Sequence, residues 1–110
     1  MDKDIINPLI TALKDLSNEL IDAARKTQDE VKLKSLSDML EKVHDASETL
    51  VDVMLTTDNN ELEKAKTHME DINKELQKFQ DTINTVIDSV AIAAQIIGTI
   101  AKIATFVAAL

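Results

Sequence analysis

From Leu9 to Leu110 the chain contains no proline and a single glycine, Gly98. Sheet proteins need tight turns every few residues, and those turns draw on Gly, Pro and Asn-Gly pairs. A chain that withholds them is built from long helices joined by few loops. The abundance of Ala, Leu, Glu, Lys, Asp and Ile agrees with this. At 110 residues the length suits one helical domain, residues 1–110.

Apolar spacing divides the chain. Asn7-Pro8 reads as a helix start, because Asn can cap and Pro is tolerated in the first turn. Leu9, Leu13, Leu16, Leu20 and Ala23/Ala24 then form one stripe, predicting a helix over residues 8–26. Continuing that phase would place Thr27, Glu30, Lys34 and Ser37 in the stripe. A new stripe begins at Leu36 and runs through Met39/Leu40, Val43, Ala46, Leu50 and Val53/Met54, predicting a second helix over residues 28–56. Thr27-x-x-Glu30 has the form of a capping box at the break, and one bent helix is the alternative to two separate ones. The run Thr56-Thr57-Asp58-Asn59-Asn60-Glu61 gathers capping residues and reads as the central loop.

After that loop two heptad series interleave. Leu62, Met69, Leu76, Ile83, Val90, Ile97 and Ala104 form one; Ala65, Ile72, Phe79, Val86, Ala93, Ile100 and Val107 form the other. This is a coiled-coil-type seam, and its unbroken phase predicts one helix over residues 60–109, roughly 75 Å long at about 1.5 Å per residue. Asp88-Ser89 is the point at which a fourth helix could begin. The expected fold class is therefore all-α. It is an elongated antiparallel hairpin or bundle of three helices, or four if the chain breaks there, with a long coiled-coil-like C-terminal helix.

The final quarter differs from the rest. Residues 1–85 hold 11 Lys/Arg against 19 Asp/Glu, whereas residues 86–110 hold only Asp88 and Lys102. A helix apolar nearly all round is normally enclosed by protein or lipid. Val86, Val90, Ile97, Ile100 and Val107 lie on the seam, and Ile92, Ile96, Ile103 and Phe106 form a surplus face beside it. These nine are the candidate interaction residues, and self-association through them is the simplest expectation. A partner protein's helix is the other protein-based option.

Lipid is the alternative. Residues 89–110 are long enough to span a bilayer. Their Ile, Val, Leu and Phe side chains favour insertion by roughly 3–5 kcal/mol, which Lys102 offsets by up to about 3 kcal/mol. Small residues around Ala94-x-x-x-Gly98 suit close helix contacts. In layout the chain is similar to helical pore-forming toxins, whose long helices shelter a hydrophobic segment. That resemblance implies a sheltered helix that is exposed at a membrane; a coat for an apolar surface is the other lipid-based option.

Chemistry-bearing motifs are sparse. Glu41-x-x-His44 matches one half of a di-iron spacing, but His68 follows Ala65 rather than a second Glu. His44-x-x-x-Glu48 and His68-x-x-Asp71 could each gather an adventitious cation, with His68 opposite Glu48 or Thr49 in the central hairpin. No serine sits in a nucleophile motif, and no glycine-rich phosphate loop occurs. The reading is of a non-enzymatic protein without cofactor or resident metal. A net charge of −8 disfavours nucleic acid. Two Phe and no Tyr or Trp leave little for stacking on sugars or bases. The absence of cysteine fits a reducing compartment, and MDKDIINPL lacks the pattern of a secretory signal. Both point to the cytoplasm, with membrane association or insertion as the other location.

Overall fold

The computed structural model describes residues 1–110 and consists of helices alone. A short 3-10 turn, Lys3–Ile5, leads into α1 (Ile6–Arg25), α2 (Glu30–Val53), α3 (Asn59–Val86) and α4 (Val90–Ala109). Helix α1 packs on α2 and α4, and α3 packs on the same two. Short loops make consecutive helices antiparallel. At one end the termini meet, the Asp2 N–H donating to the Leu110 carbonyl at 3.1 Å. The Lys3 ammonium also reaches the Thr56 carbonyl there. At the other end Lys32, in the first turn of α2, pairs with Asp88, in the turn between α3 and α4, at 2.8 Å. The molecule measures 45 × 21 × 19 Å.

The first three stripes form the core in the expected phase. Leu9, Leu13, Leu16, Leu20 and Ala23 are buried on α1, together with Ile6, Ile10 and Ala12. Leu36, Met39, Val43, Ala46, Leu50 and Val53 are buried on α2. Leu62, Ala65, Met69, Ile72, Leu76, Phe79 and Ile83 are buried on α3. The caps differ in detail. Helix α1 begins at Ile6, so Asn7 lies inside the helix, exposed, and Asp2 caps the 3-10 turn before it. Thr27 does not cap α2. Its buried hydroxyl donates back to the Ala23 carbonyl at 2.8 Å, and Asp29 caps instead, accepting from the Val31 and Lys32 amides. Asp58 caps α3 by accepting from the Asn60 amide.

The single helix expected over residues 60–109 is two. Ile87 is extended and buried, and the Ser89 hydroxyl accepts from the Ile92 amide at 3.3 Å to start α4. Burial explains the break. A continuous helix would carry residues 90–109 past the ends of α1 and α2. Reversal instead buries Ile92, Ile96, Ile100, Ile103 and Val107, stabilising by roughly 7–15 kcal/mol at about 1.5–3 kcal/mol per side chain. The few helical hydrogen bonds given up at the turn are worth about 1 kcal/mol each.

Candidate functional site

Turning the chain at residues 87–89 also resets which side of α4 faces inward. Ala93, Ile100 and Val107 remain in the core, but Val90, on the other heptad series, is 84 % exposed, and Ile97 and Ala104 are half-buried. Their inward places are taken by Ile92, Ile96 and Ile103, the supposed surplus face. Of the nine candidate interaction residues, Ile92, Ile96, Ile100, Ile103 and Val107 therefore lie in the protein's own core. Val86, Ile97 and Phe106 are half-buried against it, and Val90 alone is open.

What α4 presents outward is a different set. Ala91, Ala94, Gly98, Ala101, Thr105 and Ala108 recur at alternating intervals of three and four, and all six are exposed. They form one straight line of small side chains along the helix. A Cβ added at Gly98 would meet nothing within 4 Å. The edge facing α3 is marked by Ala104 and Ala108, which line a shallow groove with Lys66, Glu70, Asn73 and Lys74. On the α1 side lie Gln95, Thr99 and Lys102. The sequence held these small residues in view, through Ala94-x-x-x-Gly98, but not the fact that they would be the outward side.

The α1 edge carries a polar contact between α4 and α1. The Thr99 hydroxyl lies 3.0 Å from Glu19 Oε2 and 3.1 Å from the Gln95 carbonyl oxygen. Glu19 Oε1 is buried without a partner. Burial raises the Glu19 pKa above the usual carboxylate range, against the Thr99 hydrogen bond, which lowers it. Asp15 and Asp22 add to the rise, and Lys102 opposes it. Sequence reasoning missed this residue. Asp15, Glu19 and Asp22 look like a solvated acidic face until α4 is laid beside them.

The histidines sit elsewhere. His44 Nε2 is 3.0 Å from Glu48 Oε1 on the surface of α2. His68 faces α2 across a groove that includes Thr49 and Asp52, and its Nε2 has no partner. No three His, Cys, Asp or Glu side chains converge. A second open groove, about 510 Å³, separates α1 from α2 and is lined by Lys14, Ser17, Asn18, His44, Ser47 and Glu48 among others. The Ser47 hydroxyl at its floor is buried and unpartnered. Ser17 Oγ donates to the Leu13 carbonyl at 3.1 Å, so neither serine of this groove hydrogen-bonds to His44.

Compared with protein-family models, with curated proteins and with solved structures, the chain matches none.

Proposed function

We propose that this is a non-enzymatic interaction protein whose outward α4 face docks against the same face of a second copy. The observation that carries the reading is the Gly98-centred line of small residues on a helix with one charge, Lys102. Small side chains let two helix backbones approach closely, and identical faces are self-complementary about a two-fold axis. Gly98 itself costs roughly 0.5–1 kcal/mol relative to Ala in a helix interior, and nothing within its own molecule requires the missing Cβ. A close neighbour from outside does. The acidic surface of α1, α2 and α3 keeps such a pair soluble.

The lipid reading rests on one fact: α4 is long and apolar enough to cross a membrane, with a mean hydropathy of 1.9. In the closed bundle, however, the large side chains point inward and the outward face offers mainly single methyl groups. Lipid contact through Ile92, Ile96, Ile100, Ile103 and Val107 first requires α4 to leave the bundle, at the roughly 7–15 kcal/mol those residues contribute. Protein contact needs no such opening, and it is the reading adopted.

Light-scattering mass determination tests it. The wild type is expected at twice the 12.2 kDa chain mass. Ala94→Glu/Ala101→Glu is expected at the single-chain mass with its helicity retained, because both positions are exposed. A wild type that stays monomeric up to about 1 mM, where a contact of about 4 kcal/mol would register, overturns the proposal. If that monomer is taken up by phosphatidylcholine vesicles, the lipid reading replaces it.

A further inference from the structure

We propose that Glu19 is a proton-operated latch on α4: protonated, it seats the apolar helix against α1, and ionised, it loosens that seam. The geometry is specific. Glu19 is the one α1 carboxylate that hydrogen-bonds to α4, through Thr99. Of its two oxygens only Oε2 finds a donor, and Oε1 is shut away from water with none. A half-buried carboxylate in that position carries a charge on a group with one enclosed oxygen left without a donor, and that is costly. A carboxylic acid there carries no charge and keeps the Thr99 contact. The charged groups acting on it are Asp15 and Asp22 from its own helix, which favour the proton, and Lys102 from α4, which opposes it.

The sign follows from linkage. A carboxyl held above its unfolded pKa binds its proton more tightly in the folded state. The stabilisation is complete below the unfolded value, near 4.5, and is lost as pH rises through the raised folded value. Acidification therefore locks α4 down, while rising pH removes that contribution and loosens the α1–α4 seam. Opening exposes Ile92, Ile96, Ile100, Ile103 and Val107, the residues that the closed bundle withholds. The latch does not depend on self-association, because Glu19 acts within one molecule.

Hydrogen exchange between pH 4 and pH 8 tests it, with protection of α4 amides read as a ratio to α2 core amides so that intrinsic exchange chemistry cancels. In the wild type the ratio is expected to fall as pH rises, by about tenfold for each unit by which burial lifts the Glu19 pKa. Glu19→Gln should hold a nearly flat ratio. Thr99→Val removes the hydrogen bond that lowers the pKa and should move the fall to higher pH. A wild-type ratio independent of pH, or a Glu19→Gln curve that follows the wild type, overturns the latch. Repeating the measurement on Ala94→Glu/Ala101→Glu separates the two proposals. Loss of dimer mass with an unchanged exchange curve defeats neither, whereas a flat wild-type curve at dimer mass defeats the latch alone.

Discussion

Helices α3 and α4 bury the same number of residues, seven each, but differ sharply in how much charge surrounds them. Helix α3 is 28 residues long and surrounds its inward stripe with ten Asp, Glu and Lys residues; α4 is 20 long and has only Lys102. Both occupy corners of the same bundle, each between the same class of neighbours. Helix α3 therefore shows what this bundle demands of a helix: one inward stripe, and water-loving side chains elsewhere. The uncharged exterior of α4 exceeds that demand. The bundle accounts for Ile92, Ile96, Ile100 and Ile103. It does not account for Ala91, Ala94, Gly98, Ala101 and Ala108 standing in water where α3 has Glu, Lys and Gln.

The sharpest way to break the comparison is on the inward side, where the two helices should behave alike. Ile100 and Leu76 are both fully buried. Ile100→Ala and Leu76→Ala are each expected to cost about 2–5 kcal/mol in urea unfolding. If Ile100→Ala costs less than 1 kcal/mol while Leu76→Ala costs the full amount, α4 is not held in the bundle as α3 is, and its apolar side is serving something else. Next in size is the cap that separates them. Ser89→Ala removes the hydroxyl that accepts from the Ile92 amide and should cost about 1 kcal/mol, without changing helix content. A larger loss, accompanied by a gain in helicity, would mean that the continuous helix competes closely with the broken one.

That competition explains what the sequence revealed and what it hid. The stripes of α1, α2 and α3 were legible because each helix has one apolar side, so the period alone names the inward residues. Leu62 through Ile83 could face only one way. Helix α4 has Ile or Val on several sides, and periodicity cannot choose among them. The choice is made by α1, far away in sequence, and by α3, which lies beside α4 only because the chain reverses at residues 87–89. The heptad phase ran on through residues 87–89 and so imitated continuity, although Asp88-Ser89 carried the cap signal. At the α1–α2 turn two capping residues, Thr27 and Asp29, stand two apart, and local pattern could not say which would be used. Glu19 was illegible for a related reason. Its partner Thr99 is 80 residues away, and nothing in Asp15-x-x-x-Glu19-x-x-Asp22 marks the middle acid as the enclosed one.

On the outward side the helices should differ, and a smaller effect with a definite sign shows it. Gly98→Ala fills open space and removes the backbone freedom of glycine. In dilute solution it should raise stability by about 0.5–1 kcal/mol, read as a higher urea midpoint. In concentrated solution the same methyl group stands where a second backbone is proposed to approach, so the dimer should weaken. A gain in stability with no change in dimer mass would place the contact away from Gly98 and move the interface along α4 toward Val90 or Phe106.

The smallest effect concerns the ion pair that ties the first turn of α2 to the turn between α3 and α4. Lys32 and Asp88 meet at 2.8 Å with much of both side chains in water. Exposed pairs contribute about 0.2–1 kcal/mol and are screened by salt. Lys32→Met should therefore lower stability only slightly, with the difference from wild type shrinking as ionic strength rises. The comparison between the helices gives this small effect its use. If burial of the inward isoleucines returns α4 to the bundle, the turn needs little help, and Lys32→Met leaves α4 as well protected from hydrogen exchange as α3. If protection of α4 collapses while that of α3 stays, the loop contact is what holds the reversal, and the five buried side chains contribute far less than their number suggests.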